Sequence, residues 1–267
     1  MTLVDPSRPT AANGGVPGAD SRTLRTAVFY PRGERRFPLI VFAHGLGALG
    51  RIYAVILEAW AAEGYVVAAP DFPLTRATTP GGLMAGDYVN QPADLSFVID
   101  ALLRLDADPA SVLHERIDAD RIGAAGQSLG GLTTFGVTLN TCCRDPRIDA
   151  AVPMAGLLWP FPGGEYDGAG APPTLIIHGD ADDTVPYDQA LTAYALLHAP
   201  KALLTHVGGG HILPYVGSSD RPAQQATIDA GSAFFDLYSS ASARARAPAR
   251  RRRARTRAAA ADPYGAR

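Results

Sequence analysis

From residue 37 onward the chain trades short apolar runs with longer helical ones, and that alternation restricts its possible folds more than any single motif. "FPLIVFAHG", "YVVAAPD", "RIGAAGQ", "IDAAVPMAG", "PTLIIHGD" and "KALLTHVGGG" have the length and continuous apolar character of strands covered on both faces. "IYAVILEAWAAEG", "PADLSFVIDALLRL", "SLGGLTTFGVTLN" and "YDQALTAYALLHA" fall between them as helices, and "PAQQATIDAGSAFFDLYSS" closes the series. Strand and helix exchanging at this interval builds βαβ units. The expected fold is therefore α/β: a doubly wound, mostly parallel sheet with helices on both faces.

A chain of 267 residues with 47% hydrophobic content can bury one sizeable core, so a single main domain is expected over residues 25–240. Residues 1–24 are rich in Pro, Gly, Ala and Ser without a sustained period and are expected to form a mobile lead-in. Residues 241–267 hold nine of the 24 basic residues and one of the 26 acidic ones, which leaves the body at −10 and this tail at +8. Such an Arg/Ala-rich block is expected to be a disordered, solvated tail that can contact anionic surfaces. No nucleic acid or membrane partner is required by it.

No run of about 18 apolar residues is present, which argues against a membrane-spanning helix. The opening "MTLVDPSRPTAANGG" has neither the basic region nor the apolar stretch of a secretory signal, so the expected location is cytoplasmic. Cys142 and Cys143 are adjacent, form no metal or C-x-x-C motif, and are expected to be two reduced, mostly buried thiols at the end of a helix.

The stretch "AAGQSLGGLTTF" places Ser128 between a predicted strand and a predicted helix, within G-x-S-x-G. Gly126, Gly130 and Gly131 provide the room that a strained strand-to-helix turn needs, and the following helix aims its positive dipole end at the serine. A serine hydroxyl is barely ionised at neutral pH, so it needs a base, and the base needs a partner to orient it. His211, in the glycine-rich "VGGGHILP" after the last predicted strand, competes with His206 five residues earlier. His44 belongs to another motif. His178 is expected in packing or a turn, and His114 and His198 fall on or near helices. For the acid, "IIHGDADDTVP" offers Asp180, Asp182 and Asp183, and physical reasoning alone leaves the three open.

With these residues on the page, the chain resembles the α/β-hydrolase family over roughly residues 26–239, whose triad runs Ser, then Asp or Glu, then His. The resemblance implies Ser128 as nucleophile, His211 as base, and Asp182 as acid, because Asp182-Asp183-Thr184-Val185-Pro186 matches the family's D-x-x-V-P. Asp183 is the alternative, and Asp180 is then a turn or cap residue. "FAHGLGALG" resembles the family's H-G motif, in which His44 and Gly45 shape the turn. The backbone amides of Leu46 and Leu129 would then form the oxyanion hole. No metal or organic cofactor is implied.

The connection between "IDAAVPMAG" and "PTLIIHGD" is too short for a cap domain, so an open site is expected. Within it, Trp159 and Phe161, with Tyr166, could form an aromatic substrate wall, or Trp159 could pack the loop onto the core. Segments from residue 38 to 73 resemble the dienelactone-hydrolase-like, cutinase-like and chlorophyllase-like branches and the acetylhydrolases of platelet-activating factor. Ser128 stands where true dienelactone hydrolases carry Cys. The expected activity is carboxylester hydrolysis on a small or medium acyl ester. Polyester hydrolysis and cofactor-free perhydrolysis are alternatives on the same triad, and a non-catalytic binding protein tethered by its tail is the alternative of another class.

Overall fold

A computed structural model of the chain describes residues 1–33, 35–198, 200–217 and 220–238. The expected Arg-rich tail, 241–267, lies outside these residues. Eight strands form one sheet: β1 Thr2–Asp5, β2 Arg22–Phe29, β3 Phe37–Ala43, β4 Val66–Asp71, β5 Ile117–Gln127, β6 Ile148–Met154, β7 Thr174–Gly179 and β8 Lys201–His206. Their spatial order is β1-β2-β4-β3-β5-β6-β7-β8, with β1 and β2 antiparallel at one edge and every pairing from β4 to β8 parallel. The helices are α1 Ala54–Ala62, α2 Gln91–Ala107, α3 Leu129–Leu139, α4 Asp188–Leu196 and α5 Arg221–Tyr238.

Side chains alternate across a strand, and β3 divides its apolar residues accordingly. Ile40 and Phe42 join Ile56 and Trp60 of α1 and Ile228 and Phe235 of α5 on one face. Leu39, Val41 and Ala43 meet Leu95, Val98, Ile99 and Leu102 of α2 on the other. Phe135 and Leu139 of α3 and Ala190 and Ala193 of α4 close a further cluster over Ile176 of β7. Covering both faces is what allows the strands to be apolar throughout. The α/β fold read from the sequence is the one observed. At the carboxyl ends of the strands, the described connections hold only the short 3-10 turns Gly50–Tyr53, Ala85–Asn90 and Gly168–Gly170 before the next helix or strand, so no cap domain stands there among the described residues.

β3 and β5 are parallel neighbours, but successive strands are added toward one edge of the sheet from β3 to β4 and toward the other from β5 onward, and this switch puts a crevice outside their carboxyl ends. Ala43 lies opposite Gly126 in that pairing, so the residues that follow each strand, His44 and Ser128, emerge side by side.

Two expectations are corrected. Residues 1–24 are not a loose lead-in: β1 pairs with β2, and the segment between them bridges at Thr10 and Ala19. Arg22, within that range, is fully buried and paired with Asp87 and Asp94, while Arg8 pairs with Asp5 and Asp94. A four-residue edge strand is too short to display a period, and Arg22 finds its partners 65 and 72 residues away. Cys142 and Cys143 are joined as a disulfide between neighbours rather than left as two mostly buried thiols, and they lie in the turn after α3, with Cys142 exposed.

Candidate active site

Ser128 occupies a backbone conformation that L-residues rarely adopt, with φ 59° and ψ −121°. The strain is held by the surrounding elements. The Ser128 N–H donates to the Met154 carbonyl at 2.9 Å, and its own carbonyl accepts the Leu132 N–H at 3.0 Å to open α3. Two glycines permit the tight approach. A Cβ on Gly130 would strike the carbonyls of Ala43 and His44, and one on Gly45 would lie 3.2 Å from Cβ of Ser128.

His211 sits on the loop after β8, and its Nε2 is 2.9 Å from Oγ of Ser128. Its Nδ1 is 2.7 Å from Oδ2 of Asp182, on the loop after β7. A carboxylate can only accept, so Nδ1 carries the ring proton and Nε2 offers its lone pair to the serine hydroxyl. Oδ1 of Asp182 accepts the amides of Thr184 at 2.9 Å and Val185 at 2.8 Å, which compensates burial of its charge.

The other carboxylates and histidines separate clearly. Asp183 is exposed and accepts only its neighbour's hydroxyl, from Thr184 at 3.2 Å. Asp180 accepts the Gly208 amide at 2.6 Å, a turn role that ties the histidine loop to β7. His206 is turned away into a contact with Thr227 of α5 at 2.9 Å. His114 bonds the Asp106 carbonyl at 3.1 Å, and His198 is exposed, both away from the serine.

His44 is fully buried. Its Nε2 accepts the Phe72 N–H at 3.0 Å, so Nδ1 bears the proton and donates to the Gly45 carbonyl at 2.7 Å. Burial holds its pKa below the usual histidine value, and the neutral ring is what this pattern requires. Leu46 follows, with its side chain 42% exposed at the rim. Leu129 is the first residue of α3, directly after Ser128, and its amide is one of those at the helix start that have no intrahelical acceptor.

The aromatic wall is divided. Trp159 is 43% exposed and stands edge-on to Tyr88, with ring centroids 5.5 Å apart. Tyr88 donates to the Pro160 carbonyl and Tyr166 donates to the Trp159 carbonyl at 2.8 Å, so the loop is fixed on both sides of the indole. Phe161 does not line an open site. It is buried with Leu129 and Leu132, its ring flanked by Tyr88 and Tyr166, because it points under α3 while Trp159 points outward.

Three site neighbours escaped the sequence reading. His178, expected in packing, is fully buried with Nε2 2.9 Å from the Val185 carbonyl and 3.2 Å from Oδ2 of Asp182. Its Nδ1 is buried without a partner, and burial pushes its pKa down, so it is a neutral Nε2–H donor at the back of the carboxylate. Its position four residues before Asp182 was the available signal. Tyr88 gave none, and neither did Tyr53, which bonds Gln127 next to the serine. Among the described residues no three His, Cys, Asp or Glu side chains gather as metal ligands.

The PET hydrolase-like family profile matches residues 60–230, and that of platelet-activating factor acetylhydrolase, isoform II, matches residues 19–79. Cutinase est1 of Thermobifida alba is 29% identical over 60% of this chain and 47% of its own length. Cutinase cut1 of Thermobifida fusca is 27% identical over 60% of this chain and 44% of its own. Esterase YjfP of Escherichia coli is 24% identical over 61% of this chain and 76% of its own. The chain spans about half the length of the cutinases it matches.

Proposed function

Because the chain belongs to the PET hydrolase-like family, we propose that it is a serine carboxylester hydrolase acting on small or medium acyl esters. The observation that carries this reading is the continuous contact from Ser128 Oγ through the His211 ring to the Asp182 carboxylate, at 2.9 and 2.7 Å. His211 Nε2 takes the hydroxyl proton as Oγ attacks the ester carbonyl, and Asp182 stabilises the imidazolium that forms. The amides of Leu46 and Leu129 receive the oxyanion, each worth about 2.7–4 kcal/mol in the transition state. His211 then protonates the departing alcohol. Water, deprotonated by the same ring, attacks the acyl-enzyme and releases the acid.

The test is hydrolysis of a chain-length series of p-nitrophenyl esters by the wild type and by Ser128→Ala. A chain-length optimum lost in the variant supports the reading. Inactivity of the wild type on every ester overturns it and favours a tethered binding protein, whereas full activity in Ser128→Ala overturns it by removing Ser128 as the nucleophile.

A second reading, polyester hydrolysis, is favoured by the exposed Trp159 ring beside an uncapped site and by the likeness to proteins named cutinases. Release of soluble acid from a polyester film by the wild type, absent with Ser128→Ala, separates it from small-ester hydrolysis. Perhydrolysis on the same acyl-enzyme would register as peroxide-dependent oxidation of a halide reporter.

A further inference from the structure

Behind the serine runs a buried hydrogen-bond chain that the acyl-transfer steps do not use. Gln127, the last residue of β5, is 1% exposed and Tyr53, at the entry to α1, is 2% exposed. The Gly45 N–H donates to the Tyr53 oxygen at 3.1 Å. The Tyr53 hydroxyl is thereby left to donate its own proton, and it does so to Oε1 of Gln127 at 2.8 Å. That assignment fixes the amide: its NH2 group must face the other way, where it donates to the His211 carbonyl at 2.9 Å. The same nitrogen is 3.4 Å from the His211 ring Nε2.

The two ends of this chain are the two loops that the proposed reaction must hold in register. At one end, Gly45 is pinned through its N–H by Tyr53 and through its carbonyl by His44 Nδ1 at 2.7 Å and by the Ala48 N–H at 3.1 Å. A trans peptide is planar with its C=O and the next N–H opposed, so fixing the Gly45 carbonyl aims the Leu46 N–H to the opposite side. At the other end, Gln127 fixes the backbone of His211, while Asp182 fixes its ring.

We infer that Gln127 and Tyr53 are positioning residues that lock the oxyanion loop and the histidine loop to each other across the back of Ser128. The inference rests on the esterase reading of the site. Both side chains are buried rather than open to the site's solvent face. Each acts by holding a backbone group, and a misplacement of about 1 Å at such a centre can cost on the order of 100-fold in rate. Leaving either partner unpaired in the interior also forfeits a hydrogen bond that burial makes costly to lose.

The experiment compares the wild type, Tyr53→Phe, Gln127→Met, the double variant and Ser128→Ala on one p-nitrophenyl ester. Rates are expressed per active site, counted by stoichiometric phosphonate labelling of Ser128, so that a misfolded fraction does not lower them. The expected result is a fall in kcat of about 10-fold in each single variant with KM changed by less than about twofold. The double variant should be little worse than the poorer single one, because residues in one hydrogen-bond network do not add. Unchanged kcat in both single variants, losses that multiply in the double variant, or losses confined to KM overturn the positioning role while Ser128-dependent turnover leaves the esterase reading intact. A wild type without Ser128-dependent turnover overturns both.

Discussion

Nδ1 of His211 meets Oδ2 of Asp182 at 2.7 Å, whereas Asp183, the next residue, is exposed and bonds only the Thr184 hydroxyl. The difference gives two chemically identical substitutions opposite outcomes. In Asp182→Asn the amide can present N–H to the ring and favour the tautomer whose Nε2 is protonated, which cannot accept the serine proton. We expect kcat to fall about 10⁴-fold, the magnitude typical of such a change in a serine triad. Asp183→Asn should stay within about twofold of the wild type. Steady-state kinetics of the two variants decide the assignment.

Trp159 and Phe161 stand two residues apart and face opposite environments, 43% and 3% exposed. Phe161→Ala should therefore lower the stability of the domain by about 3–5 kcal/mol, the usual cost of emptying a buried aromatic site. Trp159→Ala should shift stability by less than about 1 kcal/mol and raise KM, with a larger effect on longer acyl chains. Urea unfolding and ester kinetics on both variants read the two effects. Equal destabilisation would contradict the division of the loop.

How far the sequence disclosed this arrangement depended on the distance over which each signal acts. The strands and helices between residues 37 and 238 were legible because their signal is local: an apolar run such as β3, or a glycine-framed serine at a strand end. Ser128 and His211 were marked by such local settings, and Asp182 by a short motif. What stayed hidden depends on long-range pairing. The partners of Arg22 are 65 and 72 residues away, and Tyr53 meets Gln127 across 74. Phe161 was misread for another reason, since its neighbour Trp159 has the same composition-level signature and only the fold tells which ring turns under α3.

Three histidines, His44, His178 and His206, are held below their ordinary pKa of 6.5 chiefly by burial. The folded state excludes a proton that each ring binds when unfolded. Their contribution is thus complete above about pH 6.5 and is lost as the pH falls toward the lower folded values. Each excluded proton adds a slope of about 1.4 kcal/mol per pH unit across that window. The Tm should fall between pH 7 and pH 5, and His206→Gln, with its ring removed from the balance, should flatten the decline. A Tm independent of pH across this range would contradict the neutral, buried assignment.

Arg22 carries the strongest test of the ordered amino-terminal segment. Its guanidinium donates to both carboxylates, at 2.7 and 2.6 Å to Asp94 and at 3.1 and 2.8 Å to Asp87, with all three side chains buried. Removing one member of a buried ion group leaves the others uncompensated, so Arg22→Met should destabilise the domain by about 3–5 kcal/mol. Arg8, whose side chain is 24% exposed, shares Asp94 and should cost less when replaced by Met. A mobile lead-in would make both substitutions neutral, whereas a large loss at Arg22 with a smaller one at Arg8 follows from the buried network. Equilibrium unfolding of the two variants distinguishes these outcomes without reference to activity.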